Sequence, residues 1–129
     1  SKVLQSSDTD AITIVAAGVT VHEALAAYET LKSEGVAIRL IDAYSVKPIN
    51  AAGILAAAAQ TNNTLLVVED HYYEGGLGDA VLNAVAAHGV RVHKLAVNGV
   101  ARSGTSAELL DSFGISAQHI VDKVKTLAA

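Results

Sequence analysis

Cysteine, methionine and tryptophan are missing from this 129-residue chain, and proline and phenylalanine occur once each. Without cysteine there is no disulfide framework, no thiol nucleophile and no thiolate metal site, a pattern that suits a reducing compartment. Basic residues are few: nine Lys and Arg stand against 13 Asp and Glu, for a formal charge of −4. Neutralising a phosphate backbone takes clustered cations, and these nine are scattered, so the expectation is no general binding of nucleic acid. Although 51% of the residues are hydrophobic, no apolar run reaches the ~18 residues of a bilayer span, and no membrane contact is expected. No charged-then-apolar leader follows Ser1, which makes the expected location cytoplasmic.

What is present is a repeating unit. Residues 11–17, 36–41, 64–68 and 91–96 are short runs rich in β-branched and apolar side chains, with starts roughly 25 to 28 residues apart. That interval is the length of a strand, a helix and two loops, so the cadence predicts βαβ crossovers and a parallel sheet between helices. Residues 2–5 add a short edge strand. A chain of this length buries enough surface for one core, and residues 1–129 are read as one domain.

Helix signals fill the gaps. Thr20 and Glu23 have the spacing of a capping box, opening a helix over 21–34 that Gly35 ends. Asn50 caps a helix through Gln60, and residues 77–88 form another ending at Gly89. Thr105 with Glu108 opens a short helix closed by Gly114, and Ser116 caps a last one through Leu127.

The most informative stretch is 65–81. A buried strand, Leu65 to Val68, stops at Glu69, Asp70, His71, Tyr72, Tyr73 and Glu74, then passes through Gly75 and Gly76 into the helix that starts at Leu77. The reading is strand, polar turn, helix, and in an open α/β sheet such turns at strand carboxyl ends carry function. Gly75-Gly76-Leu77-Gly78 lacks the G-x-G-x-x-G spacing and is flanked by Glu69, Asp70, Glu74 and Asp79, which repel phosphate, so close packing is the better account of the glycines. His22-Glu23 fails as a zinc motif because Ala26 stands where the second histidine belongs. No G-x-S-x-G elbow makes Ser103 a nucleophile. Tyr72 and Tyr73, stiff and amphipathic, are what protein interfaces favour at their buried centres, which points to contact rather than catalysis. An alternative is a nucleotide or small-ligand site in the crevice between the Gly18 and His71 turns, if these flank a topological switch point.

Three segments carry a family resemblance: residues 68–81, residues 17–25 (Ala-Gly-Val-Thr-Val-His-Glu-Ala-Leu), and Arg102-Ser103-Gly104-Thr105-Ser106-Ala107-Glu108-Leu109-Leu110 with Phe113-Gly114-Ile115. Together they resemble the C-terminal domain of transketolase, above all the animal type, from about Lys2 to Leu127. The resemblance implies an α/β fold: a three-layer α/β/α sandwich with a five-stranded, mostly parallel sheet, order 1-3-2-4-5, strand 1 antiparallel. It implies a thiamine-diphosphate enzyme, with Mg²⁺ or Ca²⁺, that moves a two-carbon ketol unit between sugar phosphates. In that family the cofactor lies between the other two domains across a homodimer interface. This domain is then a packing module, inert alone, binding no cofactor or metal and holding no catalytic residue. Its partners are the remaining transketolase domains, in the same chain or as a separate subunit.

The chain agrees in one respect: the family's Gly-Asp-Gly followed by Asn-Asn is missing, since Gly78-Asp79 leads to Ala80 and Asn62-Asn63 lies upstream. Glu69, Asp70, His71, Tyr72, Tyr73, Gly75 and Gly76 are the candidate contact or ligand turn, and Arg102, Ser103 and Gly104 a candidate second loop. Ala43 and Ala101 stand where the family commonly has proline, which predicts looser loops at both places.

Overall fold

A computed structural model describes residues 2–7, 9–17, 19–43, 51–72, 77–97 and 116–128. Five strands, β1 (Lys2–Gln5), β2 (Thr13–Ala16), β3 (Arg39–Asp42), β4 (Thr64–Tyr72) and β5 (Arg91–Val97), form one sheet in the order β1-β3-β2-β4-β5. β1 runs antiparallel to β3, and every other pairing is parallel. The mixed five-stranded α/β sheet with strand 1 reversed is the expected architecture.

Alternation along the strands divides the core into two layers. Ile14, Ala16, Leu66 and Val68 face α1 (Val19–Ser33) and α4 (Ala117–Ala128), meeting Ala24, Ala27, Leu31, Ile120 and Val124. Val15, Leu65 and Val67 face the other way, onto Ile54 and Ala58 of α2 (Ala51–Ala59) and Val81 and Val85 of α3 (Leu77–Val85). Runs such as Leu65 to Val68 are apolar throughout because both faces of the sheet are covered.

Boundaries depart from the sequence reading where backbone bonding overrides composition. Residues 36–38 precede β3 instead of opening it, because Val36 N–H is bonded to Leu31 O (2.8 Å) and Gly35 N–H to Lys32 O (3.1 Å). With Gly35 at φ +81°, this is a Schellman closure of α1, and the chain becomes a strand only afterwards. The helix expected over 77–88 is α for nine residues and then tightens to a 3₁₀ turn (Ala86–His88) before Gly89 at φ +71°. Asn50 and the helix expected between Thr105 and Gly114 lie outside the described residues.

The loop after Ala43 lies outside the described residues, but Ala43 itself is held in the sheet. Its N–H donates to Ala16 O at 2.8 Å, carrying the β2–β3 ladder one bond past the strand end, in a fully buried position. A proline could not make that bond. Ala43→Pro therefore destabilises the fold by more than ~1 kcal/mol, measured by urea unfolding, instead of stiffening it. Ala101 lies outside the described residues.

Candidate functional site

β4 holds the centre of the site. It does not stop at Val68: the strand runs on through Glu69, Asp70, His71 and Tyr72, and Tyr72 pairs with Val97 of β5. The expected polar turn is thus strand for four further residues, because β5 reaches far enough to pair with them. Between the Val68–Leu95 and Tyr72–Val97 pairs the ladder shifts register, with four steps on β4 against two on β5. Such irregularities bend a strand and re-aim its side chains, and they cluster beside functional sites. Tyr73, Gly75 and Gly76 lie outside the described residues, as do Arg102, Ser103 and Gly104. The candidate contact segment therefore begins as an extended strand end beside β5.

The topology does create a switch point. From β2 the chain crosses to β3 on one side and later to β4 on the other, and the helices that follow β2 and β4 pack on opposite faces of the sheet. Protein fills the described part of that junction. Thr20, fully buried, places its hydroxyl 2.7 Å from Ala17 O and 2.8 Å from Val68 O and accepts Ala17 N–H at 3.2 Å. Its proton serves one carbonyl or the other, and the group joins the start of α1 to the point where β4 changes register. Gly18 lies outside the described residues.

The capping box expected from Thr20 and Glu23 does not form. Thr20 sits inside α1 and turns back to Ala17, while Glu23 Oε1 accepts the N–H of Ala117 at 3.3 Å. Glu23 therefore caps α4, whose N-terminal N–H groups and dipole favour a carboxylate. Ser116 Oγ lies 2.8 Å from His119 Nδ1 at the same helix start. The Thr20–Glu23 spacing therefore makes no local box, and the Glu23 carboxylate serves a different helix.

Sequence reasoning also missed a polar clasp at the opposite end of the sheet. Asp10 Oδ2 accepts Ser7 N–H (2.8 Å) and Arg39 Nε (3.1 Å), Oδ1 accepts Ser7 Oγ (2.5 Å), and Arg39 Nη2 donates to Ser7 O (3.1 Å). Beside it a cleft of about 140 Å³ is lined by Ser6, Ser7, Asp10, Tyr28, Lys32 and Ile38. That is smaller than the ~300–1,000 Å³ of ligand pockets, and Asp10 is already occupied by its clasp.

The cofactor motif can be tested against the fold. Asn62 and Asn63, at φ +56° and +52°, form the turn from α2 into β4, whereas Gly78 and Asp79 stand in the first turn of α3, beyond the far end of β4. A nine-residue strand separates the two pairs, a span of roughly 25–30 Å. They do not converge on one diphosphate or metal ion. Among the described residues, no three His, Asp or Glu side chains gather at one point, and no helix is long and apolar enough to cross a membrane.

Comparison with known proteins places this geometry. Residues 1–120 match the family described as "Transketolase, C-terminal domain". Mus musculus transketolase is 50% identical over 128 residues, covering 98% of this chain and 20% of that protein. The chain belongs to the transketolase C-terminal domain family. Transketolase-like protein 1 of Bos taurus is 48% identical over 128 residues, 98% of this chain and 22% of that protein, so the chain spans about a fifth of these relatives. Among solved structures, one described as a split gene transketolase, inactive beta4 tetramer, superposes with TM-score 0.88 at 34% identity, covering 99% of this chain and 43% of that one. 2-Oxoglutarate:ferredoxin oxidoreductase from Magnetococcus marinus shares the fold alone, with TM-score 0.73 and 16% identity over 99% of this chain and 19% of its own.

Proposed function

We propose that the chain is the C-terminal packing module of a thiamine-diphosphate-dependent transketolase, working as one domain in the cytoplasm, whether joined to the rest of the enzyme or supplied as a separate subunit. The enzyme it serves transfers a two-carbon ketol unit between sugar phosphates, as a dimer. This chain contributes no catalytic, cofactor or metal-binding residue. The observation that carries the reading is the match to the transketolase family across nearly the whole chain, in a chain whose Asn62-Asn63 and Gly78-Asp79 pairs stand at opposite ends of β4. The split gene neighbour supports the separate-subunit form. Incubated with pentose phosphates, thiamine diphosphate and Mg²⁺, the 129-residue chain should give no turnover, and measurable ketol transfer would overturn the reading.

The surface that grips the rest of the enzyme is residues 69–76, from the last part of β4 onward, with Arg102, Ser103 and Gly104 as a second contact. An extended, acidic and aromatic strand end suits a protein partner better than a phosphate, which its carboxylates repel. Changing Tyr72 and Tyr73 together to Ala should weaken association with the remaining transketolase portion by at least ~2 kcal/mol, about 30-fold in Kd by sedimentation. Unchanged affinity would remove the tyrosines as anchors.

A further inference from the structure

Among the described residues, one group of basic side chains stands without an acidic partner. Arg91, His93 and Leu95 alternate along β5 and so share a face, and Leu95 on that face packs against the core layer built with Ile120, Val121 and Val124 of α4. Lys123, half-buried, stands next to Val124 on the same helix. Three basic side chains from two elements thus lie on the same side of the sheet, toward its β5 edge, close enough for Lys123 and Arg91 to act electrostatically on His93. In a chain of net charge −4, none of the three has a carboxylate partner among the described residues. Of the acids on or bonded to α4, Glu34 is paired with Lys125, and Asp122 accepts Gln118 Nε2 at 2.9 Å and forms no ion pair with Lys123.

We propose that Arg91, His93 and Lys123 form a binding site for a doubly charged oxyanion, a phosphate group free or on a small ester. Arg91 is held in place, its Nη2 donating to Asn62 O (3.1 Å) and Thr64 Oγ1 (2.9 Å), and among the described residues nothing engages its Nε and Nη1 donors, which can serve an anion's oxygens. Lys123 adds a point charge from the helix side, and His93, between them, becomes a third donor when protonated. Burial first, then Lys123 and Arg91, hold the His93 imidazole below its ordinary range. Among the described residues, no other group around His93 offsets this. His119, one turn before Lys123, engages Ser116, and the β4 residue opposite His93 is the apolar Leu66. A bound dianion reverses the field at His93, so binding and protonation of this histidine reinforce each other. The inference rests on the β5–α4 face alone and stands independently of the transketolase reading.

The test is a histidine NMR titration of the whole chain in sulfate, a dianion that does not itself titrate across the imidazole range, against chloride at equal ionic strength. Sulfate should raise the His93 pKa by about 0.5 or more over chloride. Lys123→Gln, at a half-buried surface position, should raise the His93 pKa in chloride and abolish the extra rise in sulfate. Inorganic phosphate and glycerol 3-phosphate, titrated at fixed pH, separate the sources: tighter binding of the ester identifies a small phosphorylated molecule, and tighter binding of the free ion identifies phosphate itself. The proposal is overturned if sulfate moves His93 no further than chloride does, or if Lys123→Gln leaves the sulfate response intact.

Discussion

Asp10→Ala should lower the free energy of unfolding by about 3 kcal/mol, the low end of the range for breaking a buried ion pair, and shift the melting midpoint by roughly 10 °C. The Asp10 side chain is 1% exposed and that of Arg39 15%, so removing the carboxylate leaves a guanidinium with limited access to water and strips Ser7 of two hydrogen bonds. The partial exposure of Arg39 keeps the cost at the low end, since it can turn outward. The loss concentrates on the link from β1 to β2, where Ser7 is held both by Asp10 and, through its carbonyl, by Arg39. Arg39→Met combined with Asp10→Ala should cost less than the two single changes summed, because an apolar replacement removes the orphaned charge. A cost below ~1 kcal/mol for Asp10→Ala would show that the clasp contributes little to holding the edge strand.

Leu66→Ala should cost about 3–4 kcal/mol in denaturant unfolding. Leu66 is fully buried on β4, paired with Ile14 on one side and His93 on the other, in the layer that docks α1 and α4. The stiff sheet on both sides prevents the site from collapsing around the cavity. Because neighbouring Leu65 faces the opposite layer, the two-layer arrangement makes a directional prediction: amide exchange in Leu66→Ala should quicken in α1 and α4 more than in α2 and α3. Equal loosening of the four described helices would contradict the layered description.

Much of this fold was legible in the chain because branched apolar runs recur at one interval, and both-face burial leaves just such runs. Sheet order was not legible in that cadence; it came from the resemblance carried by residues 68–81, 17–25 and the Arg102 loop. The misreadings have a common physical cause. Glu69 to Tyr72 have the composition of a turn, yet β5 offers them a pairing partner, and long-range pairing outweighs local preference. Thr20 and Glu23 have the spacing of a local cap, yet Val68 O and Ala117 N–H, brought close only by the folded sheet and helices, supply the bonds. Asp10 precedes an apolar strand with no periodic signal to mark it, and its partner Arg39 is 29 residues away. The glycine turn and the Arg102 loop remain candidate contacts on their sequence alone.

The central claim is that this chain grips the rest of a transketolase while the reacting centre lies elsewhere. It is tested most directly by mixing the chain with the thiamine-diphosphate-binding portion of a transketolase lacking its C-terminal domain, and monitoring complex mass and ketol transfer together. The expected result is a complex of the two, with no turnover from this chain by itself and loss of the complex when Tyr72 and Tyr73 become Ala. Turnover by the chain alone, or no association with that portion at any concentration, would contradict the account.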